Sequence, residues 1–261
     1  MVSREEALKA WNAGIENKKL FNSYPKVVNA GLKEAMESIL RKRLTNIEHY
    51  KLLSFPYIEK LPEESPRDRH IKKASKYGWT FTDMTNIFDY ADAYEKKHSL
   101  QNYDDFFLVV YEYNDKEAYW REKTFILDNI DPKYKRLIEQ CFKNYEEECY
   151  QITIPCLMSI LEHEVATLLS SEAWGSDLFT EWKIKLESNK DHYFYKFEKA
   201  AYKHIRFNIF GREKKGEFGN RNKIMHGSDD PETWKKSYAL KLFINISTML
   251  SLINMYNEKI V

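Results

Sequence analysis

Arg221, Asn222 and His226 bring a guanidinium, a carboxamide and an imidazole within six residues, in the stretch Gly219-Asn220-Arg221-Asn222-Lys223-Ile224-Met225-His226-Gly227. Together these groups suffice for metal-free chemistry on a phosphodiester. An imidazole with an ordinary pKa of about 6.5 takes or gives a proton near neutral pH. A guanidinium holds a phosphate bidentately and stabilises the charge that builds on its oxygens. A carboxamide orients either partner. On RNA, the group deprotonated would be the 2′-hydroxyl beside the scissile phosphate.

Spacing alone says little. Ten arginines and seven histidines in 261 residues give about 0.3 such pairs at any one spacing by chance. Arg43 and His49 form a second, looser match in a charged, helical-looking stretch. The setting of the first match adds more. Asn222 and His226 are four apart, so one helical turn puts them on a common face, whereas Arg221 needs its long stem or a distorted turn to reach the same target. Lys203, Arg206, Arg212, Lys214, Lys215, Arg221 and Lys223, against Glu213 and Glu217, give residues 203–223 a local charge of +5 in a chain of +1. The cations other than Arg221 are the candidate RNA-backbone contacts. A helix start here would also offer free amides to an anion. The competing reading is a helix–helix corner. In it Arg221 satisfies carbonyls, His226 hydrogen-bonds in the core and Gly227 supplies a left-handed cap. No metal or other cofactor is expected. There is no HExxH and no Cys/His knuckle, and Glu162, His163 and Glu164 would leave a helix in three directions.

The elements that must position these residues read as helices throughout. Eight glycines and seven prolines punctuate the chain sparsely. Helices are expected at 3–20, 25–53, from about 69 to Gly78, and from Thr82 or Asp83 to about 98. The 25–53 helix carries Arg41-Lys42-Arg43, and Arg67 and Arg69 lead into the next, which carries Lys72 and Lys73; both basic clusters read as solvated surface. Pro56, Pro62 and Pro66 mark a linker. Residues 103–113 suit a short strand or a buried helix and are read as helix, continued at 119–130. Asp131-Pro132 is a strong helix start. Further helices are expected after Pro155, over 191–209, and from Asp230-Pro231 to about Asn257.

Composition narrows the class. Hydrophobic residues are 43% and aromatics 15%, enough for real cores and unlike a disordered chain. The near-neutral charge confines any nucleic-acid site to a local patch. Three cysteines, Cys141, Cys149 and Cys156, suggest buried free thiols rather than a disulfide framework. The N-terminus lacks the apolar core of a signal peptide, and no apolar run approaches the roughly 18–20 residues that span a bilayer. A cytoplasmic protein without membrane contact is expected.

Arg221-Asn222-x-x-x-His226-Gly227, set before the last long helix of an all-α C-terminal half, resembles the signature of the HEPN superfamily. Residues 150–162, ending at Glu162, resemble the helix that precedes this motif in many bacterial members, which often carry a Glu there. The resemblance covers about residues 131–261. It implies a helical bundle at 131–261; residues 1–130, read as helical from their periodicity, lie outside it and have no assigned role. It also implies a homodimer that faces two motifs across a composite active site. The activity implied is metal-independent endoribonuclease cleavage, by 2′-hydroxyl attack, to a 2′,3′-cyclic phosphate. Phage defence, as in abortive infection, or a toxin–antitoxin pair is the implied setting, with an antitoxin or sensor protein as partner. Arg221, Asn222 and His226 would be catalytic, with Glu162 in support. Many relatives carry His where Asn222 stands. The alternative is a non-catalytic HEPN-like module that binds nucleotides or a protein.

Overall fold

The computed structural model describes residues 65–82, 84–96, 99–190, 194–211 and 221–257, all within one compact unit, Lys60–Val261. The helices expected at 3–20 and 25–53, the Arg41-Lys42-Arg43 run, the Arg43/His49 pair and nearly all of the proline linker lie outside the described residues. Every regular element among the described residues is helical, so the all-α expectation holds there.

The first helix, α1 (Pro66–Lys76), starts where sequence chemistry dictates. Ser65 Oγ accepts from the Asp68 amide and Asp68 Oδ2 accepts from the Ser65 amide, each at 3.1 Å, with Pro66 at the first helical position. Helix α2 (Ile87–Lys96) starts later than the expected cap at Thr82 or Asp83. Thr82 is buried instead, donating to Glu122 Oε2 at 3.1 Å and accepting from the Met84 amide at 3.2 Å. Helix α3 (Leu100–Asn129) confirms the helical reading of 103–113, but it breaks at Tyr113. Asn114, Asp115 and Lys116 follow with φ of +51°, +53° and +62°. Three successive L-residues in the left-handed region split α3 into two helical arms.

Helix α4 (Pro132–Glu146) is capped by Asp131, whose Oδ1 accepts from the Lys133 amide at 2.9 Å. Helix α5 (Tyr150–Leu169) does not wait for Pro155. It begins five residues earlier and carries the proline inside. An interior proline costs about 3 kcal/mol. Burial of Ile154, Leu157 and Met158, each at most 1% exposed, outweighs that cost. Helix α6 (Gly175–Ser188) was not expected, although Leu178, Phe179, Trp182 and Leu186 line its buried side. Helix α7 (Tyr195–His204) runs into a π turn (Ile205–Ile209), closed by the Phe210 amide on Ile205 O at 3.0 Å. Then come the one-turn α8 (Arg221–Met225), a 3-10 turn (Pro231–Thr233) and α9 (Lys236–Asn257). Asp230-Pro231 thus starts the 3-10 turn and not the last helix; Asp230 Oδ1 accepts from the Glu232 amide at 3.1 Å.

Helices α5 and α9 form the centre and make the most extensive helix pair. Phe142 of α4 lies flat on Phe243 of α9, with ring centroids 4.1 Å apart and planes at 8°. Helices on both sides of residue 131 share this core. Trp79 donates to Asp104 at 3.0 Å, and Asp104 pairs with the buried Lys241 of α9 at 2.5 Å. Asn245 reaches back to Gly78 O at 3.2 Å. Asp131-Pro132 is a helix start rather than a gap in packing. All three cysteines are free, and only Cys141 is fully buried.

One expectation needs correction. Helices α5 and α9 are both long and apolar enough to cross a bilayer by length and composition. Within this fold, half of the apolar window of α5 and 83% of that of α9 are buried inside the chain. Scattered polar residues on α9, among them Lys241, Asn245 and Ser247, hid its apolar length from a search for unbroken runs.

Candidate functional site

The motif occupies the single turn of α8, which packs against α5. Ile224 anchors the turn at 6% exposure, while Lys223, Met225 and His226 face solvent. The turn ends in a Schellman cap: the Ser228 amide donates to Lys223 O at 2.8 Å and the Gly227 amide to Ile224 O at 3.1 Å, with Gly227 at φ +67°. A Cβ at Gly227 would touch nothing, so glycine is needed there for backbone conformation rather than space. His226 occupies the cap position, its amide bonded to Asn222 O at 3.0 Å. Its imidazole makes no hydrogen bond among the described residues. The corner reading is therefore right about Gly227 and wrong about His226, which is not a core residue.

Arg221 and Glu162 meet although 59 positions apart. Arg221 Nη2 lies 3.2 Å from Glu162 Oε2, and Nη1 donates to Asn222 Oδ1 at 3.4 Å. The side chains of Arg221 and Glu162 are 30% and 18% exposed, so the pair is half-sheltered but reachable. Glu162 is itself fixed from below, its Oε1 accepting from the Gly175 amide at 3.2 Å. Gly175 can present that amide because it sits at φ +59°. Of five guanidinium N–H groups, the two contacts engage only part, so a bound oxyanion could still be received. The three neighbours Glu162, His163 and Glu164 do diverge as a helix requires. Glu162 faces Arg221, His163 Nε2 reaches Asp131 Oδ2 at 3.2 Å, and Glu164 is buried, its pKa pushed up to about 7 by burial. No metal-holding cluster occurs among the described residues.

Of the candidate RNA-contacting cations, the three described ones have different surroundings. Lys223 is exposed on α8, and its carbonyl holds the cap. Lys203 lines a cleft between α1 and α7 instead. Arg206 lies over the rings of Phe179 and Phe207, at 5.4 and 5.8 Å to their centroids. Arg212, Lys214 and Lys215 lie outside the described residues. Helix α8 is a single turn, too short to sum a helix macrodipole.

One feature escaped the sequence reading, and one basic cluster read as solvated surface lines a cleft instead. Trp174, the chain neighbour of Gly175, is 81% exposed, an aromatic face of the kind that stacks on a nucleobase. Arg69, Lys72, Lys73 and Lys76 form a stripe along α1 that joins Lys203. Their spacing of three and four was visible in the sequence; what they face was not. Comparison of the chain with protein-family models, curated proteins and solved structures finds no match.

Proposed function

We propose that this protein is a HEPN-like, metal-independent endoribonuclease acting as a homodimer. The observation that carries this reading is one helical turn in which Arg221 is held by Glu162 and Asn222 while His226 is left open to solvent. A histidine kept in a core or committed to a partner would have no free nitrogen for proton transfer. This one has.

In the proposed reaction the 2′-hydroxyl gives its proton to the imidazole of one His226, and the O2′ attacks the adjacent phosphorus. The P–O5′ bond breaks, and His226 of the second copy protonates the leaving O5′, ending in a 2′,3′-cyclic phosphate and a 5′-hydroxyl. Arg221 stabilises the charge on the phosphoryl oxygens. Glu162 and Asn222 are positioning residues that fix the guanidinium. The placing in phage defence or a toxin–antitoxin pair, in the cytoplasm and with an antitoxin or sensor partner, rests on the resemblance alone.

A second reading has its own observation. Arg221 is already paired with a carboxylate, as in a binding module where the arginine serves the corner. An RNA-cleavage assay in EDTA decides between them. His226→Ala and Arg221→Ala are each expected to lower cleavage at least a hundredfold while leaving the thermal melt within a few degrees of wild type. Undiminished cleavage by both variants overturns the site. No cleavage by the wild type, with saturable nucleotide binding, favours the module.

A further inference from the structure

A cleft of about 630 Å³ opens between α1 and the junction of α7 with the π turn, lined by Arg69, Lys72, Lys73, Lys76 and Lys203. No carboxylate occurs among its described lining residues, in a chain whose total charge is only +1. Arg69, Lys76 and Lys203 are exposed. Lys73 is more fixed, its ammonium donating to Tyr94 O at 3.3 Å and lying 4.5 Å from the Tyr94 ring centroid. On α1 the cations from Arg69 to Lys76 span about 10 Å at the helical rise, room for more than one phosphate.

Tyr94, Ala200, His204, Phe207 and Asn208 complete the lining. His204 is 2% exposed, and burial, with Lys241 nearby, pushes its pKa down to about 3, so it stays neutral. Its Nδ1 lies 3.0 Å from Asn208 Nδ2, which also approaches Lys76 O at 3.4 Å and so ties the π turn to the end of α1. The π turn sets Phe207 at the rim, 51% exposed. Single turns of π-helix recur at functional sites, and Gly211 holds this one, because a Cβ there would sit 2.3 Å from Phe207 O. A row of cations beside an exposed aromatic ring is the chemistry that takes a single nucleic-acid strand, phosphates on the cations and a base on the ring.

We propose that this cleft binds single-stranded RNA, its phosphates on Arg69, Lys76 and Lys203 and a base stacked on Phe207. The choice of RNA over other single strands rests on the ribonuclease reading; the cleft itself does not.

The test uses the full chain and a fluorescent 2′-O-methyl 12-mer, which lacks the 2′-hydroxyl needed for cleavage, so that binding is read without chemistry. By anisotropy, Arg69→Gln/Lys76→Gln/Lys203→Gln is expected to raise Kd at least tenfold at low salt. It should also flatten the slope of log Kd against log salt by about 2, three lost phosphate contacts on a single strand. Phe207→Ala is expected to raise Kd about fivefold or more and leave the slope unchanged. All four side chains are exposed, and matched thermal melts confirm folding. Wild-type affinity and slope in both variants overturn the cleft, as does equal competition by inorganic tripolyphosphate, which would mark a small polyanion site. Wild type that binds the 12-mer through the cleft yet never cleaves RNA rejects the ribonuclease reading alone. Wild type that cleaves, with cleft variants binding and cleaving as before, rejects the cleft alone.

Discussion

Residue chemistry separates what the motif needs from what its neighbourhood supplies. Arg221 and His226 leave the same turn toward different environments, one to a carboxylate and one to water. Nothing in the sequence could say which would be which, because that depends on where α5 places Glu162. Elsewhere a buried carboxylate makes a pH-dependent signature. Glu122, 1% exposed, has its pKa pushed up to about 7 by burial, although the hydroxyls of Tyr111 and Thr82 donate to its Oε2 at 2.9 and 3.1 Å. A carboxyl whose folded pKa lies above its unfolded value binds its proton more tightly when folded. Its stabilising share is complete below about pH 4.5 and is lost as pH rises through about 7, a change on the order of 3 kcal/mol. Glu164 adds in the same direction. Urea unfolding at pH 5 and pH 8 is therefore expected to show falling stability in the wild type and a visibly shallower fall in Glu122→Gln. An identical fall in the two proteins would reject the assignment.

At the scale of elements, local signals were read well where capping chemistry and period agreed. The Asp131-Pro132 start of α4 and the inward faces of α5 and α9 are examples, whereas the boxed start of α1 at Ser65 falls in the stretch read as linker. They failed where tertiary contacts overrode local preference. Pro155 is carried inside α5 because its neighbours are buried against α9, and Thr82 gives up a cap to satisfy Glu122. Helix α6 was missed although its apolar spacing is helical, for want of a side-chain cap at its start. The π turn had no sequence signal of its own, but it has a requirement. Gly211→Ala would force a methyl against a backbone carbonyl, an overpacking cost of about 1–3 kcal/mol. The variant is expected to melt several degrees lower and to bind a single strand less tightly by displacing Phe207. A variant that melts and binds like the wild type would show that the turn relaxes freely and that the cleft does not depend on it.

For the whole molecule, the composite-site proposal makes solution mass informative. A sedimentation or light-scattering mass near twice the 31.3 kDa of one chain is expected. A strict monomer that still cleaves RNA would exclude a site completed by a second copy. The sequence by itself determined the helical class, through scarce breakers and 3.6-residue periodicity. It also determined which residue types could do phosphodiester chemistry, since that depends only on functional groups and local spacing. Only the tertiary structure decided which groups meet. It set Glu162 against Arg221 across 59 residues and turned His226 outward. It also converted two stretches of cations, on α1 and at Lys203, into the walls of one cleft. Periodicity shows which face of a helix is polar; which other face lies opposite is fixed by long-range packing, which no local pattern encodes.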